Sequence, residues 1–202
     1  YPKEEINRGK VLSEKDLDRI GEFGRYQDVD GDGIPYRTLP GTDHPLASYF
    51  TRGSGHDADA KYSERPDDYT NNMDRLKRKY MTAQTMVPVP IIDYVEGAKV
   101  GVIAFGTTDV AFRESRNQLE LEYGIKVNYL RLRALPFTSE LEDFIDRCDR
   151  VYVIEQNRDA QMYSLIKIEL PPKKLLNLKS ILHYSGIPID ARFITDELIA
   201  CE

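Results

Sequence analysis

The sequence has 202 residues, of which 41% are hydrophobic, with a net charge of −6 and a pI near 5.2. That is enough apolar material for one or two globular domains, and the acidic balance excludes the electrostatic footprint of a nucleic-acid-binding protein. No run approaches the ~20 apolar residues of a membrane span, and the N-terminus lacks a signal-peptide pattern, so neither nucleic acid nor membrane is expected as a partner.

The two cysteines, Cys148 and Cys201, lie far apart with no CxxC partner. Neither a disulfide framework nor a zinc site is supported, and the cytoplasm is the default compartment. The sequence begins at Tyr1 in the style of a loop, which suggests a piece of something longer.

Taken in chain order, a short helix is expected over 13–22, with Ser13 as N-cap and Asp16 in the place where a capping box usually has glutamate. From Gly24 to Arg65 the prolines 35, 40 and 45 and the glycines 31, 33, 41, 53 and 55 forbid long elements. The loops are anchored by Tyr26, Tyr36, Tyr49, Phe50 and Tyr62, which argues against disorder. A helix over 67–83 follows, with Met73, Leu76 and Tyr80 on its apolar face and an Asp74–Arg78 pair. The basic run Arg75-Leu-Lys77-Arg78-Lys79 reads as its solvated face.

Pro88-Val-Pro90 and Ile91-Ile92-Asp93-Tyr94 read as a linker lying along a surface, with a boundary that assigns 1–95 to a loop-rich domain and 96–202 to a second. The second region alternates: strand 99–105, helix 107–123 with Ala111, Ser115 and Leu119 in line and Gly124 as its stop, then strand 126–132. Helix 139–146, strand 150–154, helix 158–168 with Met162, Leu165 and Ile166, a strand near 179–183 and a helix from Thr195 complete it. Strands alternating with helices predict a parallel sheet with crossover helices.

The chemistry concentrates in Arg25 to Arg37. Asp28, Asp30 and Asp32 followed by Gly33 fit the opening positions of an EF-hand loop, but Leu39 stands where the bidentate glutamate belongs. A looser site for Mg²⁺ or Ca²⁺ on Asp28, Asp30 and Asp32 and an acidic turn paired with Arg25 or Arg37 both remain open. Gly31-Asp32-Gly33 and Asn71-Asn72 imitate the signature that holds the magnesium of thiamine diphosphate, at the wrong spacing and with no strand before the glycines.

His44 and His56, each beside an aspartate (Asp43, Asp57), could act as ligand, general acid or anion donor, or could tie down their own loops. No nucleophile-elbow pattern supports a hydrolase. Gly106-Thr107-Thr108-Asp109 leaves a strand for a helix and could hold an anion or simply cap. Glu155-Gln156-Asn157 leaves the third strand at the edge where open α/β sheets bind ligands.

These motifs together resemble a family. DVDGDGIPYRTLPGTDHP and YFTRGSGHD, then VGVIAFGTTDVAFRE, LRALPF and VIEQNRDAQ, are similar to the alpha subunit of 2-oxoacid:ferredoxin oxidoreductases, especially the 2-oxoglutarate type. The resemblance implies an α/β fold in which 1–95 is the loop-rich end of a thiamine-diphosphate pyrimidine-binding domain and 96–202 is a transketolase-C-terminal-like parallel αβα sandwich. It also implies an enzyme complex with thiamine diphosphate, Mg²⁺, CoA as co-substrate and a [4Fe–4S] cluster on a partner. The implied partners are the beta subunit, the upstream part of the alpha subunit and ferredoxin.

The activating glutamate, the pyrophosphate motif and the cluster cysteines are expected elsewhere in such a complex. This chain would supply an active-site wall and a subunit interface, with no catalytic residue of its own and with Arg52, His56 and Asp57 closest to the substrate or cofactor cleft. Many relatives carry glycine where Ala160 stands. A branched-chain or transketolase-type component shares the C-terminal fold but not the 28–57 loop, and the alternative in another class is a non-enzymatic divalent-ion-binding or interaction module with a Rossmann-like domain.

Overall fold

The computed structural model describes residues 6–49 and 55–202, which form two compact units divided between Met86 and Val87. Phe50, Arg52 and Gly53 lie outside the described residues.

In the first unit α1 (Glu14–Ile20) opens with a reciprocal capping box. The Asp16 N–H donates to Ser13 Oγ, and the Ser13 N–H donates to Asp16 Oδ2 at 2.9 Å, so aspartate serves where glutamate was the norm. Gly21, in the left-handed region, ends the helix. Loops and one 3₁₀ turn, Pro45–Ala47, lead to α2 (Pro66–Met86), which starts on a proline followed by Asp67 and Asp68, a favourable match to its N-terminal dipole.

α2 inverts the expected amphipathicity. Tyr69, Met73, Leu76 and Tyr80 are exposed, and its one fully buried residue is Arg75. Of the basic run, Lys77, Arg78 and Lys79 are exposed as expected, but Arg75 is buried and Arg78 pairs with Asp28 of the acidic loop. Gly33 lies so close to α2 that a Cβ there would come within 2.2 Å of the Lys79 nitrogen.

The second unit is a five-stranded sheet in the order β1-β3-β2-β4-β5. Its strands are β1 (Ile91–Asp93), β2 (Val100–Phe105), β3 (Val127–Leu132), β4 (Arg150–Glu155) and β5 (Leu178–Leu182). β2 to β5 are mutually parallel, as the alternation predicted, but β1 joins β3 antiparallel with Ile92 opposite Leu130. The segment expected as a linker is thus an edge strand, and the expected parallel sheet is mixed. Two prolines just before it hide so short a strand from any periodicity argument.

Helices α3 (Thr108–Tyr123) and α6 (Ala191–Cys201) cover one face of the sheet, α4 (Ser139–Asp146) and α5 (Gln161–Glu169) the other. The two cores follow the alternation of each strand. Val102, Tyr152 and Ile154 meet Phe112, Leu119, Ile194 and Leu198, while Ile103, Val151 and Val153 meet Leu141, Phe144 and Ile166. Leu165, expected in the core, is exposed. α6 begins at Ala191 rather than Thr195 because Asp190 accepts the Phe193 N–H as its cap.

Candidate functional site

The polar face of α2 and the loops before it enclose a cavity of 180 Å³ in the first unit, lined among others by Tyr26, Asp28, His56, Asp57, Asn72 and Arg75. Asp68, Asn71, Asn72, Arg75 and Arg78 share the lining because their spacing of three or four residues keeps them on one side of the helix. His56 stacks on Tyr26, with ring centroids 4.0 Å apart. Its Nδ1 lies 3.0 Å from the Asp57 carbonyl oxygen, which can only accept, so Nδ1 carries a proton and, in the neutral ring, Nε2 is left as an acceptor.

The Asp57 carboxylate itself accepts the N–H groups of Asp59 and Lys61, both at 2.9 Å, and so fixes the turn that carries Ala60 at φ +69°. Of the three residues expected at a cleft, His56 and Asp57 line this cavity; Arg52 lies outside the described residues. His44 is elsewhere: its Nδ1 accepts the Leu46 N–H at 3.0 Å and its Nε2 faces Asp18 at 3.4 Å, a histidine that ties down its own loop.

The acidic loop finds its cations in places the sequence did not suggest. Lys10 Nζ lies 2.6 Å from Asp30 Oδ2 and 2.7 Å from Asp32 Oδ2, and Arg78 lies 2.9 Å from Asp28. The expected partners Arg25 and Arg37 are not the ones used. Burial works against the Lys10 charge, but its bonds to Asp30 and Asp32 outweigh that and raise its pKa. The same bond from Lys10, with the Ile34 N–H, holds Asp32 below the usual carboxylate range.

A divalent ion on Asp28, Asp30 and Asp32 would have to displace the ammonium, so these donors as arranged do not fit one. Among the described residues no group of three or more metal-ligating side chains could hold a metal. The Gly-Asp-Gly and Asn-Asn segments do meet in space, since Arg75 donates to the Gly33 carbonyl at 3.2 Å and to Asn72 Oδ1 at 2.7 Å, but as loop-to-helix packing. Sequence reasoning missed Tyr26, Arg75 and Arg78. The one available signal was that the apolar residues of α2 lie opposite its Asn, Asp and Arg side.

In the second unit Gln156 Nε2 donates to the hydroxyls of Thr107 (3.0 Å) and Thr108 (3.2 Å) at the carboxyl edge of the parallel strands. Thr107 occupies the N-cap position of α3 but makes no side-chain cap. Asp109 is buried beside the two threonines. Burial would raise its pKa, but bonds from Tyr129 (2.9 Å) and Arg113, with Arg131 at 3.4 Å, keep it below its ordinary value.

Glu155, fully buried at the end of β4, accepts the Asn157 side chain and the N–H groups of Met162 and Tyr163, which makes it a cap for α5. Both cysteines are free, Cys148 buried and Cys201 exposed, and two isolated thiols do not fit an iron–sulfur cluster. No helix among the described residues is long and apolar enough to cross a membrane.

No protein-family model and no curated protein matches the chain. Among solved structures it is similar to the 2-oxoglutarate:ferredoxin oxidoreductase from Magnetococcus marinus, whose structure holds 2-oxoglutarate, coenzyme A and succinyl-CoA. The TM-score is 0.76 at 23% identity, over 89% of this chain and 31% of that one. The likeness fixes the fold. This is the α/β arrangement of one part of that oxidoreductase, with a mixed, mostly parallel five-stranded sheet, and the chain spans about a third of the length of the chain it matches.

Proposed function

We propose that this chain is part of a 2-oxoacid:ferredoxin oxidoreductase, of the 2-oxoglutarate type, and that it contributes an active-site wall and a subunit interface rather than the chemical centre. The observation that carries this reading is a shape match over 89% of the chain to such an enzyme. The match adds to the loop sequences DVDGDGIPYRTLPGTDHP and YFTRGSGHD, which packing on the sheet does not require. Residues 1–86 would be the end of the pyrimidine-binding domain and 87–202 the transketolase-C-terminal-like domain, a boundary moved forward from residue 95 because β1 belongs to the sheet of the second unit.

The chain's own residues agree with a supporting role. Its carboxylates at 28–32 are engaged by Lys10 and Arg78, Gly33 packs on α2, and its thiols cannot hold a cluster. Thiamine diphosphate with its Mg²⁺ and the [4Fe–4S] group therefore belong to other parts of the complex in this reading. When bound there, the thiamine cofactor supplies the carbanion chemistry of 2-oxoacid decarboxylation. What this chain would do is present His56, with Nε2 as an acceptor, and the Tyr26 ring as one side of the cleft, held rigid by the Asp57 turn.

Affinity purification from cells that also express the remaining oxidoreductase chains tests the reading. The expected result is a complex that reduces ferredoxin or a viologen dye with 2-oxoglutarate and CoA present together, and that loses activity when either is omitted. A chain that recovers no thiamine-dependent, iron–sulfur partner would overturn it.

A further inference from the structure

A second cavity in the first unit, of 360 Å³, has six cationic side chains in its wall: Arg8, Lys10, Arg25, Arg37, Arg75 and Lys79. No acidic residue lines it. In a chain with a net charge of −6 this is a local reversal of sign. The charge of Lys10 is met by Asp30 and Asp32, but none of the other five enters an ion pair among the described residues.

What partners they have are neutral. Arg37 donates to the Arg8 carbonyl at 2.7 Å, Arg25 lies over the rings of Tyr26 and Tyr49, and Arg75 donates to the Gly33 carbonyl and to Asn72. Arg75 is only 6% exposed, and its buried Nε has no hydrogen-bond partner. Like charges gathered around one cavity repel unless an anion joins them, and guanidinium groups pair best with carboxylate or phosphate oxygens. Burial, and with it the neighbouring Arg25, depresses the Arg75 pKa, and the Asp28 carboxylate offsets this only in part.

We propose that this cavity is a binding site for a small organic or inorganic anion carrying two or more negative charges, held by Arg25, Arg37, Arg75 and Lys79 through carboxylate or phosphate oxygens. Its volume falls in the ordinary range for small-molecule sites, and Ile34 and Leu76 give it an apolar wall against which a carbon skeleton can lie. The site stands on these side chains alone and does not depend on the enzyme reading above.

Isothermal titration of the full chain at low ionic strength, with inorganic pyrophosphate in one arm and malonate in the other, tests it. Saturable binding of one anion per chain is expected. It should weaken tenfold or more in Arg25→Gln and in Lys79→Gln, and the unchanged melting temperatures of these variants without ligand show that the fold is intact. Arg75 is left alone because its removal would disturb the packing of α2. Preference for pyrophosphate identifies a phosphate ligand, preference for malonate a dicarboxylate, and either supports the site. No saturable binding in both arms, or binding that both substitutions leave unchanged, overturns it.

Discussion

At φ +49° the backbone of Ala160 sits in the left-handed region, where a Cβ crowds the following carbonyl. It is the residue just before α5, and the turn from Glu155 into that helix requires the conformation whatever the side chain. Ala160→Gly should therefore stabilise the protein by about 0.5–1 kcal/mol, the relief of strain exceeding the extra freedom glycine gains when unfolded. Thermal melting measures it, and an unchanged or lower midpoint would contradict the strain argument.

Asp109 makes a prediction of a different kind. Its pKa in the folded state is depressed, so its contribution to stability is present above the ordinary carboxylate value near pH 4 and is lost as pH falls through the lower folded value. Asp109→Asn should lower stability at neutral pH and flatten the acid limb of a stability–pH profile below about pH 4. Denaturant unfolding at a series of pH values would show whether the two proteins converge in acid, as this requires.

Among the elements, α5 depends most on a single distant group. Its first turn has no side-chain cap of its own, and two of its orphan N–H groups are satisfied by the Glu155 carboxylate. Glu155→Gln keeps the size but turns an amide NH₂ toward one of those donors, at an expected cost of about 2 kcal/mol. Loss of amide protection confined to 161–169 in hydrogen exchange would place the damage at the helix start.

The strands and helices of the second unit were legible because each strand is a short apolar run and each helix keeps a periodic core face. β1 was not, since three residues after two prolines carry no period and only the exposed edge of β3 makes them a strand. α2 was legible as a helix but not in orientation. Its Met73, Leu76 and Tyr80 read as an inward face, yet the loop it meets presents a carboxylate and carbonyls that Arg75, Arg78 and Thr82 engage. The site followed the same rule. His56 and Asp57 could be picked from composition, whereas Tyr26 and Arg75 become part of it only through contacts between segments far apart in the chain.

At the scale of the molecule the two units are held by different forces. The buried apolar side chains of the first unit, among the described residues, are little more than Leu12 and Leu17, and its cohesion comes from ion pairs, caps and stacked rings. The second unit buries two full layers of side chains against its sheet. Apolar burial is the main favourable term in folding, and screened ion pairs add little. Residues 87–202 expressed alone should then give a cooperative melt, whereas 1–86 alone should not. Calorimetry of the two fragments decides this, and a sharp transition in 1–86 would mean that polar packing suffices.

Gly101 on β2 has no side chain because Cys148 Sγ and the Phe144 ring fill the space where one would stand. The thiol behind it is sealed, burial pushing its pKa up while the Asn128 amide lies 3.6 Å away, and Cys201 stands exposed at the end of α6. The protein thus carries a natural clock for its own breathing. An alkylating reagent should consume Cys201 at the rate of a free thiol and Cys148 only as fast as α4 lifts from the sheet, so that two labels on one unmodified sequence time the opening of the core.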